Sequence, residues 1–409
     1  MKILVINCHP DNRGDEAAVH AMVDEISNVY PGVTITLSIR GAGTKYPNMP
    51  SNVKMIHQFM PISSKAKFAH KLAVLTGGKV AISVHEKELI AEIAQADIIL
   101  HAPGGPSIGD TYYKDEPTYL AIYDLLIKMK KPYMFYAPSM GPFKNTERNV
   151  WRRKILLNAK AVVLRDPISA KFVKELVPEK RIYQTLDSAL QHDIDMQENE
   201  KKFSQFKELK DFILKHDKCI GITITDLMWH PVWSKNTDVI DNIRKTFSDF
   251  IDEKIKMGYG IVFVPQLYGS GNDYNLMSSY CKDKENCFVI PDNDERYDTY
   301  FQQYVISKLY AVIGMRYHSN IFSAKMGTPF ISVSYEQKMQ GFMEKMNLEQ
   351  YCIPLKDLST DVLNSKCDLL SLNYNNYQND LAKQHNLMKE ESYQTTKIVE
   401  NILNEIQTK

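Results

Sequence analysis

Lys2-Ile3-Leu4-Val5-Ile6-Asn7 holds an unbroken apolar run, residues 3–6, and leads into the polar loop Pro10-Asp11-Asn12-Arg13-Gly14-Asp15. A run with no polar alternation suits a strand buried on both faces, as parallel strands between helices are. Residues 17–29 follow with helical spacing, placing Ala18, Met22 and Ile26 on one face, and the β-branched run 33–37 reads as a second strand. Further short apolar runs lie at 97–100, 132–136 and 161–164, with helical patterns at 85–96, 117–129 and 167–176. Such alternation predicts a parallel sheet covered by helices.

A polar stretch rich in Lys, Glu and Gln occupies 191–217, and then the alternation resumes. Strands are expected at 219–225, 260–265, 287–290, 311–314 and 330–334, and helices at 239–256, 297–309, 318–326 and 339–346. A long polar helix is expected over about 375–406. The sequence therefore predicts an α/β protein of two Rossmann-like parallel-sheet domains facing a cleft. The domains are 1–190 and 218–375, joined by a partly helical linker region at 191–217; residues 376–409 form a helix that packs across the junction. Ligands of such sheets bind at the carboxyl ends of strands, near helix N-termini, which makes the cleft the default site.

Composition narrows the function. The 409 residues allow two or three domains of roughly 150 residues. Lys and Arg total 50 against 49 Asp and Glu, so no basic excess points to nucleic acid. No apolar run reaches the ~18 residues of a membrane span. Six cysteines are scattered without a CxxC pair, which suits reduced thiols and a cytoplasmic location. No His/Cys/Asp set has metal-ligand spacing, so neither metal nor cofactor is expected. The loop after the first strand lacks GxGxxG, which disfavours a nicotinamide dehydrogenase.

Chemistry concentrates in Gly314-Met315-Arg316-Tyr317-His318-Ser319-Asn320, followed by Gly327-Thr328-Pro329 and Ser334-Tyr335-Glu336-Gln337-Lys338. Arg316 and His318 fall at a strand-to-helix turn, and Lys338 lies just past the next strand. Arg316 can fork onto a carboxylate or phosphate, and His318 can move a proton near neutral pH. Together the three basic groups suit an anion pocket; a capping histidine and two solvated cations are the plainer alternative. Residues 45–87 carry seven lysines and one acid, Glu86, for a local charge of +6. Phe68, Leu72 and Leu75 share a helical face there. With Lys65, Lys67 and Lys71 beside them they suit an anionic membrane surface, or else an ordinary surface helix.

The Gly314–Lys338 segment resembles the C-terminal signature of the polysaccharide pyruvyl transferase family: Arg-x-His after a strand, Gly-x-Pro, then a strand ending in Tyr-x-x-Lys. The first half is similar too. Asn12-Arg13-Gly14-Asp15-Glu16-Ala17 resembles the family's N-terminal loop, and Gly104-Gly105-Pro106-Ser107-Ile108 its glycine-rich loop, with Pro106 where a third Gly is usual. Ser139-Met140-Gly141-Pro142 and Arg165-Asp166-Pro167-Ile168-Ser169 match two further elements, and Asp187 follows at the expected distance. Each match is weak alone, but the ordered set over about residues 3–346 is specific.

The resemblance implies a glycosyltransferase-B-like fold and transfer of pyruvate from phosphoenolpyruvate to a sugar of a cell-surface polysaccharide precursor, giving a cyclic ketal and phosphate. It assigns the donor to Arg165, Arg316, Tyr335 and Lys338, and catalysis to His318, as acid, base or both, with Arg316. Asn12, Asp15, Gly104 and Gly105 would face the acceptor, expected to be a lipid-linked oligosaccharide. For Asp15 the plain alternative is a helix cap, and for Gly104-Gly105 a tight turn. Trp229, His230 and Trp233 suit sugar stacking or core packing, and Gln266 is a weaker cleft candidate. Lys65, Lys67 and Lys71 would bring the enzyme to the inner face of the cell membrane as a peripheral protein. The rivals are a nucleotide-sugar glycosyltransferase of the same fold and a non-catalytic glycan- or phosphate-binding protein.

Overall fold

The computed structural model describes residues 1–40, 45–105, 107–268, 272–291 and 297–408; Pro106 of the glycine-rich loop falls outside them. Two α/β units emerge. Unit 1 comprises 1–10, 18–192 and 390–409, and unit 2 comprises 11–17 and 193–389.

Unit 1 is built on seven parallel strands: β1 (Lys2–Cys8), β2 (Thr34–Ile39), β3 (Val53–His57), β4 (Ile98–His101), β5 (Tyr133–Phe135), β6 (Val162–Leu164) and β7 (Ile182–Gln184). Their order is β3-β2-β1-β4-β5-β6-β7. The opening apolar run shows why both faces are buried. Ile3 and Val5 pack with Leu37, Leu100 and Met134 in one cluster, while Leu4 and Ile6 pack with Ile99, Phe135 and Leu164 in another. Side chains two apart share a face of a strand, so one continuous run feeds both layers.

Unit 2 holds six parallel strands: β8 (Cys219–Thr223), β9 (Gly260–Phe263), β10 (Cys287–Val289), β11 (Ala311–Gly314), β12 (Phe330–Ser334) and β13 (Cys352–Pro354). The order β10-β9-β8-β11-β12-β13 repeats the pattern of unit 1. Each sheet thus reverses its winding at one point, between β1 and β4 in unit 1 and between β8 and β11 in unit 2. The crevice beyond the carboxyl ends of that strand pair is where such sheets hold ligands.

Three strands were not predicted: β3, β7 and β13. All are at sheet edges, and each has half-buried or exposed positions where the central β4, β9 and β11 are wholly buried. An edge strand needs fewer apolar residues, so its sequence signal is weak. The polar stretch 191–217 contains two helices, Met196–Gln205 and Lys207–Lys215, both within unit 2. Helix Tyr374–Gln407 runs from unit 2 into unit 1, where Val399, Ile402 and Leu403 join the first apolar cluster. Helix Arg13–Val29 likewise begins in unit 2 and continues in unit 1. Among the described residues no helix is long and apolar enough to cross a membrane.

Candidate functional site

In unit 2 the turn after β11 is built by its own small residues. Gly314 lies opposite Thr223 of β8 and Ser332 of β12. A Cβ on Gly314 would fall 1.9 Å from Asn320 Oδ1, so only glycine lets the next helix, Tyr317–Met326, start this close to the strand. The backbone N–H of Arg316 donates to Thr223 Oγ1 at 3.3 Å, and the Ser319 hydroxyl donates to the Arg316 carbonyl at 2.6 Å. The side chain of Arg316 is buried and forks onto Asp273: Nε donates to Oδ2 at 3.1 Å, and Nη2 donates to Oδ1. Asp273 Oδ2 also accepts the backbone N–H groups of Gln266 at 3.1 Å and Leu267 at 2.9 Å. Burial alone would pull the guanidinium down; Asp273 and then Tyr335 outweigh it and hold Arg316 above its ordinary value.

Lys338 has its own carboxylate. Its Nζ sits 2.5 Å from Glu336 Oε2, and His230 Nε2 sits 3.0 Å from Glu336 Oε1. Burial would raise Glu336, but Lys338 first and then His230 bring it down to about 2. Arg316 lies over the Trp229 ring at 5.0 Å, and the His230 and Tyr335 rings meet edge-on at 5.7 Å. Lys338 lies 5.7 Å from the Tyr317 ring, which meets His318 at 5.1 Å. Arg316, Tyr335, Lys338 and His318 therefore belong to one connected set of side chains. Arg316 and Lys338 are each paired with a carboxylate in place.

The aromatic segment packs within this set. Trp229 Nε1 donates to Thr225 Oγ1 at 2.9 Å, and Trp233 Nε1 donates to the Tyr335 carbonyl at 3.3 Å. Gln266 Nε2 donates to Gln302 Oε1 at 3.0 Å.

The Asn12–Asp15 loop stands in unit 2. Arg13 donates its N–H to the Gln266 carbonyl at 2.8 Å and stacks 4.5 Å over Tyr268. Glu16 accepts the N–H of Thr299 at 3.0 Å. Asn12, rather than Asp15, caps the first helix: its Oδ1 accepts the N–H of Gly14 at 2.8 Å. Gly14 lies against His318, since a Cβ there would come 1.9 Å from Nδ1. The glycine of this loop is the floor beneath the imidazole.

Unit 1 presents a different arrangement. Arg165 Nη1 donates to Asp187 Oδ2 at 2.6 Å and Nε donates to Ser139 Oγ at 2.9 Å, and the arginine is buried. Asp166 caps helix Pro167–Leu176 through Ser169 N at 2.7 Å and accepts the Ser139 hydroxyl at 2.9 Å. The three family-like elements of this half thus form one hydrogen-bonded block. At the sheet's reversal point, His101 Nδ1 lies 2.9 Å from Asn7 Nδ2 and 2.5 Å from the Tyr123 hydroxyl, and Nε2 lies 2.9 Å from Ser107 Oγ. Burial first, and then His9, lower His101 to about 3, so it stays neutral. Gly104, at φ 145°, takes a turn that favours glycine, and its carbonyl accepts the Ser139 N–H at 3.0 Å. A Cβ on Gly105 would meet no atom within 4 Å.

Asp273 and Glu336 were missed as site residues. Glu336 stood in plain view two residues before Lys338. Asp273 is 43 residues from Arg316 and carries no local signal. Among the described residues no group of three or more His, Cys, Asp or Glu side chains could hold a metal ion.

Two parallel-sheet α/β units with this strand order define a glycosyltransferase-B-like protein. Solved structures with the same fold include UDP-GlcNAc 2-epimerase from Neisseria meningitidis bound to UDP-GlcNAc (11% identity, TM-score 0.60, covering 98% of this chain and 100% of that one). UDP-GlcNAc 2-epimerase from Methanocaldococcus jannaschii is a second (11% identity, TM-score 0.54, 90% and 92% covered). The chain belongs to the polysaccharide pyruvyl transferase family, whose model matches residues 12–337. A curated relative, the amylovoran biosynthesis protein AmsJ of Erwinia amylovora, is 19% identical over 439 residues, covering 99% of this chain and all of that protein.

Proposed function

We propose that this protein transfers pyruvate from phosphoenolpyruvate to a sugar of a polysaccharide precursor, forming a cyclic ketal and releasing phosphate. The observation that carries the reading is the pair of cations, Arg316 and Lys338, fixed by carboxylates beyond the neighbouring strands β11 and β12 in a chain of this family. Phosphoenolpyruvate carries a carboxylate and a phosphate on one small skeleton and needs two cationic contacts in a fixed relation. A guanidinium has five N–H donors, more than Asp273 and Tyr335 take up, and an ammonium has three. Holding each cation by a carboxylate fixes its direction and keeps the site from concentrating like charge.

Protonation of the donor's methylene carbon makes C2 electrophilic. One sugar hydroxyl attacks C2, the C2–O bond to phosphate breaks, and a second hydroxyl closes the ketal. The hydroxyl protons balance the one added to carbon and the one taken by phosphate. We assign His318 to these transfers as acid, base or both, worth ~10²–10⁴-fold. Arg316 and Lys338 would hold the departing phosphate charge. Asn12 and Asp15, from the loop whose Gly14 lies against His318, and Gly104 and Gly105 in unit 1, are assigned to the acceptor, expected to be lipid-linked. Arg165 is assigned a secondary donor contact, because its fork is already engaged by Asp187 and Ser139. The scheme calls on no metal, cofactor or nucleic acid.

The test is phosphate release from phosphoenolpyruvate across a panel of free and lipid-linked sugars, with UDP-sugars as the competing donor. His318→Ala should lose ~10²–10⁴-fold in turnover with an unchanged melting temperature. Arg316→Lys should weaken donor binding more than turnover. Full activity in both, or turnover of UDP-sugars only, would sink the reading.

A further inference from the structure

Residues 62–87 gather exposed apolar and basic side chains. Ile62, Phe68, Leu75, Val80, Ile82 and Val84 are six of the fifteen large apolar residues exposed among the described residues, and Phe68 and Leu75 are 72% and 73% exposed. Five lysines, at 65, 67, 71, 79 and 87, are exposed in the same stretch. Its one acid, Glu86, is buried and bound to His70 Nδ1 at 3.0 Å, so no carboxylate from this segment offsets them at the surface. Helix Ser64–Leu75 organises the surface. Ser63 caps its N-terminus, and its buried face is only Ala69, His70 and Ala73. His70 is fixed from both sides, since Nε2 also lies 2.9 Å from the Ala121 carbonyl. Its fully buried face is thus small residues and one histidine, and Phe68 and Leu75 are left outward.

Beside it opens a mostly apolar pocket of about 410 Å³, walled by Val74, Leu75, Pro117, Ala121 and Trp151 and edged by Lys67 and Lys71. The one acid at its wall, Asp124, is paired with Lys154 at 2.7 Å. Exposed large apolar side chains gathered in one segment, rather than scattered singly, mark an interaction surface. Lysines interleaved with exposed Phe, Leu, Ile and Val match a surface of phosphate head groups over hydrocarbon, and no helix among the described residues anchors the chain by crossing one.

We propose that the 62–87 face is a docking surface for an anionic phospholipid bilayer. Lys65, Lys67 and Lys71 would meet the lipid phosphates, and Phe68 and Leu75 would enter the boundary between head groups and chains.

The whole protein is sedimented with vesicles of phosphatidylcholine alone and of phosphatidylcholine mixed with phosphatidylglycerol. The wild type should pellet with the mixed vesicles, hardly with the neutral ones, and less as salt rises. The triple variant Lys65→Ala, Lys67→Ala, Lys71→Ala should bind on the order of 10²-fold more weakly. The double variant Phe68→Ser, Leu75→Ser should also lose binding while leaving the charge intact. Both replace exposed side chains, and matching thermal melts exclude a folding defect. Absence of wild-type binding, equal binding to neutral vesicles, or undiminished binding by either variant overturns the proposal.

Discussion

Units 1 and 2 share a strand order, yet their reversal points are furnished in opposite ways. Beyond β1 and β4 stands a neutral network of Asn7, His101, Tyr123 and Ser107, and burial holds its histidine at about 3. Beyond β11 and its neighbour β12 stand ion pairs, Arg316 with Asp273 and Lys338 with Glu336. Topology is the same in both, but the described side chains are neutral at the first and ion-paired at the second. Fold and chemistry are separable here, and the chemistry lies in residues that the strand pattern does not dictate.

The largest test of that contrast is Asp273→Ala. Leaving the buried Arg316 without its carboxylate should cost ~3–5 kcal/mol in urea unfolding. His101→Phe, at the matching point of unit 1, strands no charge and should cost distinctly less; equal costs would break the comparison. Gly14→Ala is next. Its Cβ must displace the His318 ring, so about 1–3 kcal/mol of stability should go, together with turnover. A stable Gly14→Ala enzyme with full turnover would remove His318 from the reaction.

Acid should also separate the units. Below pH 6.5 an unfolded chain protonates His101, while the folded chain resists until about 3, so unit 1 loses stability progressively through that window. Glu336 has the opposite charge type. Folded at about 2 against an ordinary 4.5, it contributes its full stabilisation above pH 4.5 and loses it as the pH falls towards 2. Urea midpoints followed against pH should therefore begin to fall near 6.5. His101→Gln should flatten the fall between 6.5 and about 3, and Glu336→Gln only its part below 4.5. The smallest expected effect is Gly105→Ala, which meets no atom and should leave stability within ~1 kcal/mol. Lost acceptor turnover in that variant, with the fold intact, would sharpen the case for a ligand passing close to this backbone.

The central strands were legible because burial on both faces demands apolar residues at successive positions, as at 3–6 in β1 and in Ala311–Gly314. The edge strands β3, β7 and β13 were not, because each carries exposed positions that need no apolar residue. Arg316, His318 and Lys338 were legible through their order after strands. Glu336 was overlooked as the spacer in Tyr-x-x-Lys, and Asp273 had no pattern to betray it.

The linear chain by itself set two parallel sheets and the strand ends at which basic groups would stand, since periodicity and apolar content act over neighbours. Only the folded molecule decided that Arg316 would find Asp273, that Lys338 would share Glu336 with His230, and that Gly14 would lie under His318. A buried charge must be met by whichever opposite charge the packing brings near, and sequence distance places no limit on which residue that is.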